Sequence, residues 1–174
     1  MDSRELLETL NKALEMEEKG YKFYKDAAKK SRNNMTTRTF DFLADNETLH
    51  IEAIKNFYNT LKKGKSPSIK LKDVKDKRIE DLDIFSKSIS ALKEKVKTVD
   101  DDKKAYEFAM EFENNGYKYY EDTLKEAKGE ELINLLKFLL KEESKHYDLL
   151  MNAYTYLTDS HNWFMYEEGS FPQG

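Results

Sequence analysis

The chain contains no cysteine. That excludes disulfides, thiolate nucleophiles and every metal centre held by Cys sulfur. Any electrons used in redox chemistry must therefore arrive from a partner or from a substrate. Proline and glycine are also scarce: two Pro (Pro67 and Pro172) and six Gly in 174 residues leave room for long unbroken helices. Lys, Glu, Leu and Ala are abundant, so the expected class is all-α. No apolar run approaches the roughly 18 residues of a membrane span, and no membrane partner is expected. Neither sign of charge dominates. Thirty basic and 34 acidic residues give a net charge of −4, without the basic stripe a nucleic-acid binder needs. The opening Met1-Asp2-Ser3-Arg4-Glu5 is unlike a signal peptide, and a cytoplasmic protein is expected.

What the chain does have is one pattern written twice. Ala13, Glu17, Gly20, Tyr24, Glu47 and His50 recur as Ala109, Glu113, Gly116, Tyr120, Glu143 and His146, each pair 96 residues apart. Each copy thus holds a lone Glu and, 30 residues later, Glu-x-x-His.

Heptad-like stripes predict four long helices. The first runs from about Ser3, a plausible N-cap, to Lys30, with inward residues Leu6, Leu10, Ala13, Glu17, Gly20, Tyr24 and Ala27. Thr36 or Thr37 is expected to cap the second, whose stripe is Phe40, Leu43, Glu47, His50, Ile54, Phe57 and Leu61, with Gly64 closing it. The third spans about Asp101 to Ala127, inward through Tyr106, Ala109, Glu113, Gly116, Tyr120 and Thr123. The fourth spans Glu130 to Thr158, inward through Leu136, Leu139, Glu143, His146, Leu150, Ala153 and Leu157. Helix pairs 3–63 and 101–158 are joined by a connection, 64–100, long enough to traverse a bundle. A short helix is expected within it, from Leu82 to Lys97. One domain over 1–174 is expected, ending in a non-helical tail, 159–174. His161 is read as surface. The apolar cluster Trp163, Phe164, Met165 and Tyr166 should fold back on the bundle or meet a second copy, and a homodimer is the expected assembly.

The chemistry follows from where the acids sit. Glu and His at i, i+3 share one helix face, so Glu47 with His50, and Glu143 with His146, can address a single ion. All four Glu occupy inward positions of apolar stripes. Four carboxylates in one core would repel and cost several kcal/mol each in desolvation. Protons could neutralise them, but two divalent cations do so better. Oxygen donors with one imidazole per ion suit iron or manganese, with zinc also able to occupy such a set. One Glu-x-x-His alone is weak. Six matched positions at one offset, using two of only three histidines, form a ligand set for two metal ions in a four-helix bundle.

Tyr24 and Tyr120 each lie two turns after a lone Glu. They are either core aromatics or donors that orient carboxylates across the bundle, and the second reading is favoured because a buried phenol needs an acceptor. Gly20 and Gly116, costing up to about 1 kcal/mol each relative to Ala, either reserve space or permit close helix packing.

Taken together, Ala-x-x-x-Glu-x-x-Gly-x-x-x-Tyr followed by Glu-x-x-His, twice, resembles the rubrerythrin-like branch of the ferritin-like superfamily. The resemblance covers residues 3 to 158 and touches the Tyr-Leu-Thr-Asp…Asn-Trp-Phe tail. It implies a ferritin-like bundle with a long crossover. It implies a di-iron centre held by Glu17, Glu47, His50, Glu113, Glu143 and His146, with Glu47 and Glu143 as candidate bridges. Two departures stand out. Members with a Cys-rich rubredoxin domain receive electrons through it, and this chain has none. They also carry an extra Glu one turn from the third lone Glu, where this chain has Met110 and Gly116 around Glu113. The implied function is reduction of peroxide or dioxygen with electrons from an external donor protein. The alternative is an iron-binding, storage or sensing protein without turnover.

Overall fold

The structure, a computed structural model, describes residues 3–64 and 99–159. Four helices make up nearly all of it: α1 (Ser3–Lys30), α2 (Asn34–Lys62), α3 (Val99–Glu126) and α4 (Glu130–Thr158). The expected helix at Leu82–Lys97, the Trp163–Tyr166 cluster and His161 lie outside the described residues.

The helix ends have local causes. The cap of α2 is Asn33, not Thr36 or Thr37. Its backbone is extended (φ −89°, ψ 120°), and its Oδ1 accepts from the N–H of Met35 at 2.9 Å and of Thr36 at 3.3 Å. Such a cap is worth about 1 kcal/mol. Thr36 is instead buried inside the first turn. At the far end Gly64 adopts φ 66° and donates to Leu61 O at 2.9 Å, as the end of a helix favours. Gly129, at φ 91°, makes the turn between α3 and α4. A side chain at either glycine would strain the backbone.

The stripes predicted for α3 are the buried ones: Tyr106, Ala109, Glu113, Gly116, Tyr120 and Thr123. In α1 the stripe ends on Ala28 rather than Ala27, because a straight helix of 3.6 residues per turn drifts off an alternating four-three step. Helices α2 and α4 bury more than a stripe, adding Phe42, Ala44, Asn46 and Ala53 in one and Leu132, Leu135, Glu142 and Tyr156 in the other.

Helix α1 packs along α2 and α3 along α4, and the two pairs meet through α2–α4 and α1–α3 contacts. The apolar core divides into two clusters. One gathers Tyr24 and Ala28 of α1, Phe40 and Leu43 of α2, Tyr106 of α3 and Leu150 of α4. The other gathers Leu10, Ile54, Tyr120 and Leu135. The first cluster thus holds the C-terminal half of α1 and α4 and the N-terminal half of α2 and α3. Helices α2 and α3 therefore run in the same direction, and α3 begins at the end of the bundle opposite to where α2 stops. That is the topology of a four-helix bundle with a crossover between its second and third helices. Among the described residues, no helix is long and apolar enough to cross a membrane.

A buried carboxylate and histidine layer

Between the two apolar clusters lies a polar layer. Glu17 of α1, Glu47 and His50 of α2, Glu113 of α3, and Glu143 and His146 of α4 are each between 1% and 4% exposed. All six point inward at one depth, as equal spacing within the two halves requires. The imidazoles of His50 and His146 stack with centroids 5.1 Å apart and planes 18° apart. Nδ1 of His50 stands 3.1 Å from Glu17 Oε2 and 3.3 Å from Glu47 Oε2. Nδ1 of His146 stands 3.5 Å from Glu113 Oε2 and 3.7 Å from Glu47 Oε1. In both histidines, then, Nδ1 faces the carboxylates.

Three trios offer ligand atoms within 4.8 Å of one another: Glu17, His50 and Glu143; Glu113, Glu143 and His146; and Glu47, His50 and His146. Glu143 belongs to a trio in each half, and Glu47 reaches both histidines. Glu17 and Glu113 belong to one trio each.

The two tyrosines cross the bundle reciprocally. Tyr24 of α1 donates to Glu113 Oε1 on α3, and Tyr120 of α3 donates to Glu17 Oε1 on α1. Burial, and then the charge of the facing carboxylate (Glu113 for Tyr24, Glu17 for Tyr120), hold both phenols well above their ordinary pKa. They remain donors, each fixing the rotamer of one lone Glu.

The glycines have a related role. A Cβ on Gly20 would lie 3.3 Å from Glu47 Oε1 and 2.9 Å from Phe112 Cε1, and one on Gly116 would lie 3.1 Å from Glu143 Oε2. Both readings of the glycines therefore meet: the helices approach closely, and the space left is filled by a carboxylate of the paired helix. The absence of an additional Glu at position 116 has the same consequence, since Glu143 fills that place.

Electrostatics sort the four acids into two kinds. Burial raises Glu47 well above the usual carboxylate range, reinforced by the charges of Glu17 and Glu113. Glu143 is raised likewise by burial and by Glu113, Glu17 and Glu47. Burial also acts on Glu17, but attraction to His50 and hydrogen bonds from Glu47, His50 and Tyr120 outweigh it and lower its pKa to about 2. Glu113 is lowered in the same way by His146, Glu143 and Tyr24 against its own burial. Burial would lower His50, but the charge and hydrogen bond of Glu17, with the charges of Glu113 and Glu142, together outweigh it and raise its pKa. Without metal, Glu47, Glu143 and His50 are thereby biased toward holding protons.

Those protons leave the layer incompletely satisfied. Glu47 Oε2, Glu113 Oε2 and both ring nitrogens of His146 are buried with no hydrogen-bond partner. Four such atoms converging in one layer are costly unless something binds them. Oxygen and imidazole donors around that layer fit a pair of divalent metal ions. The residues present thus fit the group that the repeat implies.

Two further residues escaped sequence reasoning. Glu142 is buried beside Glu143 and bears on His50 by its charge, while Lys145 Nζ donates to its Oε1 at 2.7 Å. Its counterpart 96 residues earlier, Asn46, is buried too and donates from Nδ2 to Phe42 O at 3.1 Å. The only available signal was a polar residue preceding the Glu-x-x-His in each copy.

Comparison with known proteins agrees with this picture. The family model described as Rubrerythrin matches residues 8–154. A hypothetical protein from Pyrococcus furiosus has a similar structure, with a TM-score of 0.66 at 21% identity, covering 89% of this chain and 91% of that one. That likeness concerns the fold. No curated protein gives a match.

Proposed function

The chain belongs to the rubrerythrin family, and on that premise we propose that its buried layer holds two iron ions and reduces peroxide or dioxygen with electrons from an external donor protein. The observation that carries the reading is the sharing of ligands. Glu143 falls within reach of both half-sites and Glu47 within reach of both histidines, as two bridging carboxylates would. Glu17 with His50, and Glu113 with His146, would complete one ion each. When bound, the metal pair supplies two electrons, one per ion, to an O–O bond.

The chain's own residues do the rest. Tyr24 and Tyr120 hold Glu113 and Glu17 in fixed rotamers, which keeps the non-bridging ligands in place as the charge of the centre changes. Gly20 and Gly116 leave the space that the carboxylates of Glu47 and Glu143 occupy, so that both would be available to hold the ions. Two apolar clusters above and below the layer exclude bulk water and strengthen every charge interaction within it.

Stopped-flow mixing of the reduced, iron-loaded protein with peroxide, and separately with dioxygen, tests the reading. Fast oxidation that a donor reverses over repeated cycles is the expected result. Slow oxidation in a single cycle, with iron retained, would assign the protein to iron storage or sensing instead.

A further inference from the structure

We propose that Thr36, Thr39, Asp102 and Tyr106 enclose a binding site for buried water at the end of the bundle where α2 and α3 begin. The site is separate from the carboxylate and histidine layer and does not depend on what that layer holds. The ground for it is a break in the internal repeat. At five positions on this end the chain places Ser31, Thr36, Thr39, Asp102 and Tyr106, and 96 residues away stand Ala127, Leu132, Leu135, Leu6 and Leu10. The leucine set belongs to the apolar cluster at the opposite end of the bundle. One end is thus closed by hydrocarbon alone, while the equivalent positions of the other carry four hydroxyls and a carboxyl. Four of these five polar residues are deeply buried, with Thr36, Thr39 and Tyr106 at 0% exposure and Asp102 at 7%.

The partners of these groups are incomplete. Ser31 Oγ donates to Asp102 Oδ2 at 3.0 Å, which ties the turn after α1 to the first turn of α3. The Thr36 hydroxyl bears on both the Asp102 carboxyl and the Tyr106 phenol, and the Thr39 hydroxyl bears on the phenol. Yet Thr36 Oγ1, Thr39 Oγ1 and the Tyr106 hydroxyl are buried with no hydrogen-bond partner among the described residues. Groups near enough to influence one another but too far apart to bond directly are spaced for a molecule between them. Left unbonded, three such hydroxyls would each carry a desolvation cost that leucine at the other end avoids.

The chemistry of the site selects the occupant. A water needs two to four polar partners, and it can donate to the Asp102 carboxylate while accepting from a hydroxyl. A cation is disfavoured. Asp102 and Thr36 lie in the first turns of α3 and α2, where free N–H groups favour negative charge and oppose positive. One carboxylate is also too little charge for a buried divalent ion. The Tyr106 ring packs on Phe40 at 4.9 Å between centroids, so the apolar core closes the site on its inner side.

A high-resolution crystal structure of the full chain, with melting temperatures of two conservative variants, tests this. The expected density is an ordered water at about 2.5–3.0 Å from at least two of Thr36 Oγ1, Thr39 Oγ1, the Tyr106 hydroxyl and the Asp102 carboxylate. Tyr106→Phe and Thr39→Val each remove a hydroxyl and keep the shape of the side chain. An unbonded buried hydroxyl is a cost, so its removal would raise the melting temperature. A hydroxyl bonded to water contributes, so both variants should melt lower than wild type. The double variant should lose less than the sum of the two, because both hydroxyls share one partner. Variants that melt at or above wild type, or a site that holds no density, would overturn the proposal. A melting temperature that rises with sodium or potassium relative to choline at equal ionic strength, in wild type but not in the variants, would assign the site to a cation and overturn it as well.

Discussion

Replacing Glu143 with glutamine is expected to empty both metal positions rather than one. Glu143 lies within 4.8 Å of ligand atoms from Glu17 and His50 and of those from Glu113 and His146. The amide keeps the size of the side chain and can still donate to Glu113, as the protonated acid does. It cannot donate negative charge to two cations. Metal affinity should fall by more than the roughly 10–100-fold that follows loss of an outer-shell partner. Glu47→Gln should behave in the same way. Glu17→Gln, which alters a residue of one trio, should leave the opposite ion in place. Equilibrium dialysis with metal analysis of the three variants checks this. Two ions per chain retained in both Glu47→Gln and Glu143→Gln would remove the bridging role.

Stripping the metal is expected to lower stability at neutral pH, and mild acid should restore part of it. A ligand present at 100 to 1,000 times its dissociation constant stabilises by about 2.7–4.1 kcal/mol. For a chain of this size that is a melting shift of roughly 5–15 °C. The pH dependence of the metal-free form follows from the direction of each pKa. Glu47, Glu143 and His50 are raised in the folded state, so their contribution is full in acid and is lost as pH rises through the raised values. Glu17 and Glu113 are lowered, so their contribution persists in mild acid and is lost only as pH falls toward the folded value of Glu17, about 2. The melting temperature of metal-free protein should therefore rise from pH 7 to about pH 5, then fall in strong acid. Glu143→Gln should flatten the neutral part of the curve and melt higher than metal-free wild type at pH 7. A metal-free melting temperature that is highest at neutral pH and declines steadily toward pH 5 would contradict the buried-acid layer.

Much of this was legible in the sequence because the signal is a repeat. Equal spacing from Glu17 to Glu47 and from Glu113 to Glu143 fixes equal depth along paired helices, and the structure places all six residues in one layer. All six residues of the α3 stripe are buried, and the one buried residue it missed, Asp102, lies in the first turn, where an acid reads as a helix-terminal charge rather than as core. Other features depend on partners that a single sequence does not name. Asn33, rather than Thr36 or Thr37, caps α2 because of the extended backbone at position 33, which nothing in a run of polar residues announces. The repeat gives Tyr24 and Tyr120 the right depth, yet their pairing with Glu113 and Glu17 is set by which helices face each other across the bundle. Glu142 reads as one more surface charge of an acidic helix, yet it is buried and its charge acts on His50 of α2.

The central claim is that this layer exists to hold two metal ions. Metal analysis of the protein purified from its native host at its natural level, with anomalous scattering from crystals of the same material, measures it most directly. About two ions per chain are expected, within the layer formed by His50, His146 and the carboxylates of Glu17, Glu47, Glu113 and Glu143. Protein that carries substoichiometric metal, or whose metal lies away from His50 and His146, would contradict it.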